Sequence, residues 1–443
     1  MRETFGCRLL RIAWFIALVA FLLRLAWLFF KISQIPADVL AMAPFQNEVG
    51  NVAAALVSGH GFCCLFREPT GPTAWLTPVY PLFVAVIFKL FGAFTFRSFC
   101  ASVVLNSVFS ALASFPLFRI TDRVAGKPAA ALATWLWAFS PVAIILPYAW
   151  IWDSSLSAFL AAALLWATLQ LADRPSLRAF ALYGLLWGIS LLTNPALAAV
   201  LPFLFAWILY RLRVGSAQKL RFFAVACALI VLACLPWTLR NYVQFRRFVP
   251  LRANFAYELW SGNNEIFDPA SRAVNRITRF EQARLYARLG ETAFLHEKWQ
   301  AATTFIRSHP SLYARLCARR FVATWFGTDS PWFDFLHADS SLARFLLLWN
   351  AFSLVAILAG VFRLYRSRSP FFFPVAIFPL IFPLTFYLAH TSLRHRHPCD
   401  PILALLMAVA FKATRDKLRL DKVHLCIPAN LMSALAQKIE GPS

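Results

Sequence analysis

Charge is what this chain has least of. Only 14% of its 443 residues are Asp, Glu, Lys or Arg, and just 20 are acidic. A soluble domain carries about a quarter charged residues, so an ordinary soluble globular protein is excluded. Familiar catalytic signatures are missing too: there is no GxGxxG after a strand, no GxxxxGK(S/T), no HExxH and no GxSxG. These absences remove any recognisable ATP site, zinc-protease site or serine-hydrolase elbow. Energy for a group transfer then has to arrive with the substrate. Nine cysteines are scattered with no CxxC or Cys/His ligand spacing, and the adjacent Cys63 and Cys64 make no framework. Neither a metal site nor an essential disulfide is expected. There is no internal repeat and no low-complexity tract.

What is abundant is hydrophobicity. Apolar residues make up 60% of the chain and the mean hydropathy is +0.63. Several runs reach the ~18–20 apolar residues that span a bilayer, so the expected class is an all-α polytopic membrane protein. The run at 12–30, preceded by Arg2, Arg8 and Arg11, is too long for a signal peptide and lacks a small-residue cleavage site. It reads as an uncleaved anchor. The net charge of +23 would suggest nucleic acid in a soluble chain. Here Lys and Arg gather in short loops between apolar runs, as the positive-inside rule requires, so nucleic acid is set aside. Membrane lipids and a lipid phosphate are the expected partners.

Taken in order, apolar runs lie at 12–30, 99–118, 128–147, 154–172, two about the Asn194–Pro195 turn, 222–237, 343–362 and 370–389, with a short last one. The total is about ten spans, within a range of nine to twelve. The segment 77–92 decides the parity. If it lies flat as an amphipathic helix, interrupted by Pro78 and Pro81, the basic clusters at Arg119–Lys127, Arg174–Arg178, Arg211–Arg221 and Arg363–Arg368 share the side of the N-terminus. Both termini are then cytoplasmic in an inner membrane. Four parts follow: an N-terminal membrane module at 1–237 whose first outer loop (33–98) carries the acidic site, an extracytoplasmic helical region at 238–342, C-terminal spans at 343–413 and a basic tail at 414–443. Arg24, inside the first span, is read either as functional or as snorkelling to the nearer interface.

Candidate chemistry gathers on the presumed outer face. Glu48 heads the small-residue pattern NEVGNVAAALVSGHG, with Gly59 and Gly61 supplying the chain reversal after it. It is read as a general base or as a helix-terminal charge; Glu68 reads as a loop charge. Asp153, in YAWIWDSSLS, is placed to cap the helix that follows, which leaves it free to face a cavity. Asn194 starts a tight Asn-Pro turn, and Arg240 follows the run at 222–237. Arg394, Arg396 and His397, in SLRHRHPCDP, form a cationic cluster suited to an anionic phosphate or to headgroups.

In their order and spacing, these elements resemble the membrane-embedded C-type glycosyltransferases, in the branch with protein O-mannosyltransferases, lipid A aminoarabinose transferases and Rgt-type sugar transferases. The likeness runs from the acidic residue after the first span through SG, TPVYP, FG, the Asp of WIWDSS and PWTLRNY to the late Arg/His-Pro motif. It implies a C-type bundle and transfer of a sugar from a polyprenyl-phosphate-linked donor to a lipid, glycan or protein acceptor, with inversion. No cofactor is implied beyond that donor. Glu48 then takes the base role and Asp153 the second acidic position. Arg394, Arg396 and His397, with Arg240 and Asn194, become the substrate-binding candidates. The family's usual Asp-Glu pair is Asn47–Glu48 here, and Asn194 stands where some relatives have a phosphate-binding lysine. The rival expectation is a flippase or transporter of lipid-linked sugars, which would carry its ionisable groups near the bilayer midplane.

Overall fold

The computed structural model describes residues 2–42, 45, 47–66, 69–264, 274–327 and 340–425; Glu68 lies outside them. The described residues are 81% helical and contain no β-strand, only an isolated bridge between Cys63 and Pro72. Among them, five helices are long and apolar enough to cross a membrane: Arg11–Ile32, Phe96–Ala125, Ser154–Asp173, Ser216–Phe245 and Arg344–Arg366. A pair bent by 40°, Lys127–Ala138 and Pro141–Ala149, makes a sixth. This is an integral membrane protein.

We label the helices α1 (Arg2–Ile32), α2 (Ala37–Met42), α3 (Glu48–Val57), α4 (Val79–Phe91), α5 (Phe96–Leu112), α6 (Ser114–Ala125), α7 (Lys127–Ala138), α8 (Pro141–Ala149), α9 (Ser154–Asp173), α10 (Leu177–Leu191), α11 (Leu201–Arg211), α12 (Ser216–Phe245), α13 (Phe255–Gly262), α14 (Val274–Leu289), α15 (Glu291–Ser308), α16 (Pro310–Phe326), α17 (Ser340–Arg366), α18 (Phe372–Ile381), α19 (Leu384–Leu388) and α20 (Asp400–Leu425).

Small residues set the closest packing, as they must where lipid offers no hydrophobic drive between helices. Gly184 and Gly188 of α10, four apart on one face, meet α12. A Cβ on either would stand 2.4 Å from the Ala226 carbonyl oxygen or the Ala233 Cβ. Gly360 of α17 presses on the Leu406 carbonyl of α20 in the same way. The outward face of α12 is apolar and open, with Val231 and Leu232 exposed.

Arg24 does not snorkel. It is buried in α1 and turned into the bundle, where Nε donates to Ser110 Oγ (2.8 Å) and Nη1 to the Ala20 carbonyl (2.6 Å). Its remaining reach is to the Ala138 and Trp137 carbonyls at the α7–α8 bend (3.4 and 3.5 Å). Pro141, which opens α8, has no N–H to offer the Trp137 carbonyl, and the arginine helps to satisfy that break.

The two ends of the bundle differ. At one, Arg123 pairs with Asp173 (2.5 Å) and Lys412 donates to the Ala125 carbonyl (2.8 Å). At the other, the segment between α3 and α4 is laced to the helices after α12. Arg240 donates to the Thr73 and Phe62 carbonyls (2.7 and 2.6 Å). The buried Glu291 carboxylate accepts from the Ala74 N–H (2.8 Å), Tyr286 Oη (2.6 Å) and Thr73 Oγ1. Arg252 Nε donates to the Trp75 carbonyl (2.8 Å). The Trp75 indole packs among Tyr257, Tyr286 and Phe294, with centroids 4.8–6.3 Å apart; such pairs contribute about 0.5–1.5 kcal/mol each. Gly59 and Gly61 adopt φ of 81° and 79° in the reversal after α3, as that turn requires.

Helix α4 is anchored at this same end. Thr77 Oγ1, just before it, donates to the Thr193 carbonyl (2.8 Å), and Phe88 in its last turn packs on Phe45, 5.0 Å between ring centroids. At ~1.5 Å per residue, its 13 residues cover about 20 Å, short of the ~30 Å hydrocarbon core.

Candidate active site

Four chain reversals meet at the laced end and enclose a cavity of about 270 Å³. The α8–α9 turn contributes Asp153, the turn after α10 contributes Asn194, the segment after α12 contributes Arg252 and Glu258, and the segment after α19 contributes His390, Arg394 and His395.

Asp153 occupies the N-cap position of α9, but its carboxylate makes no capping bond to the helix amides. Instead Oδ2 accepts from Ser157 Oγ at 3.4 Å, and Ser157 Oγ in turn accepts from Asn194 Nδ2 at 3.2 Å. Asn194 Oδ1 is held by the Ala196 N–H (3.1 Å). The relay orients Asp153. Burial pushes its carboxyl up to about 6, against the pull of Arg252, Arg394 and the Ser157 hydroxyl.

Arg394 is the centre of the arrangement. Its guanidinium lies over the Trp152 and Trp150 rings at 4.7 and 5.0 Å, the cation–π geometry that holds a cation without using its donors. Nη1 is buried with no hydrogen-bond partner among the described residues. Burial pulls the guanidinium pKa down, while the charges of Glu258, Glu48 and Asp153 hold it up. Two carboxylates distant in sequence, Glu48 and Asp153, thus act on one cation. Glu48 sits in the first turn of α3, half-buried. The cap itself is Asn47, whose Oδ1 accepts from the Gly50 N–H (3.0 Å), so the glutamate is not needed for it.

Arg396 and His397 point elsewhere. Arg396 is buried and donates to Asp400 Oδ1, the Thr324 and Trp325 carbonyls and Asn350 Oδ1, all at 3.1–3.2 Å. His397 bonds Asp400 Oδ2 through Nδ1 (2.9 Å) and stacks on Trp137 (5.4 Å). Arg396 ties α16 and α17 to the head of α20, and His397 packs that head on α7. Arg240 likewise holds the α3–α4 segment and lines no part of the cavity.

No family model and no curated protein matches the sequence. Solved structures do. The apo oligosaccharyltransferase of Archaeoglobus fulgidus superposes with a TM-score of 0.54 at 14% identity, covering 97% of this chain and 54% of that one. AglB of the same organism, in complex with an inhibitory peptide and a dolichol-phosphate, gives 0.51 at 14% identity over 97% and 54%. The form tethered to an acceptor peptide gives 0.54 at 16% identity over 93% and 50%. This chain shares the fold of that oligosaccharyltransferase. This chain spans about half the length of the oligosaccharyltransferase that it matches.

Two cavity residues carry no sequence signal. Arg252 lies in PLRANF and Glu258 in FAYELW, neither a motif. Glu258 Oε2 stands 3.1 Å from His390 Nδ1, and its Oε1 is 3.7 Å from Arg252. His395 stacks flat on Phe386 (4.7 Å, 4°) and edge-on to His390 (4.9 Å). Burial lowers the His390 pKa in spite of Glu258, and burial together with Arg394 lowers that of His395 well below its ordinary value. Both shifts favour the neutral imidazole.

Proposed function

We propose that this chain is an integral membrane glycosyltransferase that moves a sugar from a polyprenyl-phosphate-linked donor to a lipid, glycan or protein acceptor, with inversion at the anomeric carbon. The observation that carries the reading is Arg394: a guanidinium seated on two indoles, with unused donors, under the charges of Glu48 and Asp153. It holds the donor phosphate, with Arg252 beside it. As the bond from the anomeric carbon to the phosphate oxygen breaks, the phosphodiester monoanion becomes a more highly charged monoester. The cations stabilise that added charge where it develops. Glu48 takes the proton of the attacking acceptor group, and Asp153, poised near neutral pH, orients that group or shares the proton.

In this reading the bundle makes about ten passes, with α10, α11, α18–α19 and α20 among the shorter ones and α4 lying along the membrane surface. Both termini are cytoplasmic, the cavity faces the extracytoplasmic side, and helices α13–α16 form a cap over it. The anchoring of both ends of α4 at the cavity end favours this parity. A carrier of lipid-linked sugars is less well supported, because Arg24 deep in α1 is already committed to Ser110 and to helix carbonyls.

The test is Glu48→Gln in a strain deleted for the native gene, scored by mass spectrometry of envelope glycans and lipid-linked sugars. Transfer is expected to be lost while the protein still inserts. Full transfer by the variant sinks the assignment.

A further inference from the structure

The cavity has a second polar wall that phosphate binding does not use. Thr385 Oγ1 and His395 Nδ1 are buried without hydrogen-bond partners among the described residues, and both residues line the cavity. The threonine is conspicuous within its own protein. Thr121, Thr134, Thr168 and Thr324 all fold their hydroxyls back onto the carbonyl four residues earlier, each at 2.8 Å, whereas Thr385 does not. His395 is equally uneconomical as a packing residue. A phenylalanine would stack on Phe386 just as flatly and would bury no unpaired nitrogen, which costs about 1–3 kcal/mol.

Groups left unpaired around a cavity mark what the ligand must supply. Here they are hydroxyl and neutral imidazole, which both donate and accept and so match a polyhydroxylated ring rather than a charged group. Arg394 is the next residue to His395, so the phosphate position and this wall are contiguous. The cavity volume of about 270 Å³ matches a single sugar ring beside its phosphate.

We propose that Thr385, His390 and His395 form the recognition subsite for the sugar of a monosaccharyl lipid phosphate, so that this chain transfers one sugar at a time. The inference rests on the glycosyltransferase reading above. Sugar hydroxyls take the place of the partners that Thr385 Oγ1, His390 Nδ1 and His395 Nδ1 lack among the described residues.

The full-length protein in lipid nanodiscs is titrated calorimetrically with four kinds of probe. These are dodecyl phosphate, a panel of dodecyl phosphosugars carrying one pentose, hexose or N-acetylhexosamine, a dodecyl diphosphate disaccharide, and the matching methyl glycosides without phosphate. At least one monosaccharyl phosphate is expected to bind tenfold or more tighter than dodecyl phosphate, and tighter than the disaccharide. His395→Phe and Thr385→Val, which keep the stack and the shape, should each remove most of that gain and leave dodecyl phosphate affinity unchanged. The inference is overturned if no panel member gains over dodecyl phosphate, if the gain survives both substitutions, or if the disaccharide binds as tightly as the best monosaccharide. A methyl glycoside that binds as tightly as its phosphosugar would assign the wall to the acceptor instead and overturn it too. If dodecyl phosphate itself does not bind, the glycosyltransferase reading falls with it; phosphate binding without sugar discrimination removes only the inference.

Discussion

Asp153→Asn is expected to make the protein more stable at neutral pH, by an amount set by the folded structure. Burial raises the Asp153 carboxyl from 3.8 to about 6 even with Arg252, Arg394 and Ser157 opposing the shift. A shift of about two units corresponds to ~3 kcal/mol. The folded state holds this proton more tightly than the unfolded one, so the contribution is fully present below about pH 4. It fades as pH rises and is lost above about pH 6. Asparagine keeps the neutral shape at every pH. The two proteins should therefore melt together near pH 3.5 and diverge through pH 4–6, with the variant ahead by ~3 kcal/mol at pH 7.5. At ~2 cal/mol/K of unfolding entropy per residue, this amounts to about 3 °C in melting temperature. The assay is the thermal midpoint of both proteins in the same detergent at half-unit pH steps. Taking the difference cancels other titrating groups such as Glu291. An offset that is flat with pH, or a variant less stable at pH 7.5, refutes the reasoning. A carboxylate retained at such a cost is expected where activity needs it, so the same variant should lose transfer.

Four substitutions separate scaffold from site. Arg396→Gln strips a buried cation from Asp400, Asn350 and two carbonyls; a loss of about 3–5 kcal/mol should appear as a collapse of the monodisperse peak in size-exclusion chromatography. Arg394→Gln, two residues earlier, should leave that peak intact and abolish dodecyl phosphate binding. Gly360→Ala drives a Cβ against the Leu406 carbonyl and should cost about 1–3 kcal/mol, read as a lower melting temperature with unchanged phosphate affinity. Arg24→Met should lower the melting point as well, by about 1–3 kcal/mol, without altering phosphate binding.

The membrane class, the long apolar helices and several turns were legible in the amino-acid order because they are local. A run of apolar residues, glycines at Gly59 and Gly61, and an Asn-Pro pair act through their own backbone or their immediate neighbours. The same holds for the place of Asp153 at the head of α9. What the order of residues could not decide was direction. Arg394 and Arg396 stand two residues apart in one basic cluster, yet one lies against two indoles at the cavity and the other is spent on Asp400, Asn350 and the end of α16. Arg240 read as a phosphate ligand and holds a loop instead. Arg252, Glu258 and Thr385 gave no signal at all. A polar side chain in a low-dielectric bundle turns toward whichever distant group still lacks a partner. That bookkeeping exists only once α16, α17 and the α3–α4 segment have packed. Hydrophobic length therefore settled that the chain crosses the membrane, and tertiary packing alone decided that Arg394, and not Arg396 or Arg240, faces the cavity with a buried donor unpaired among the described residues.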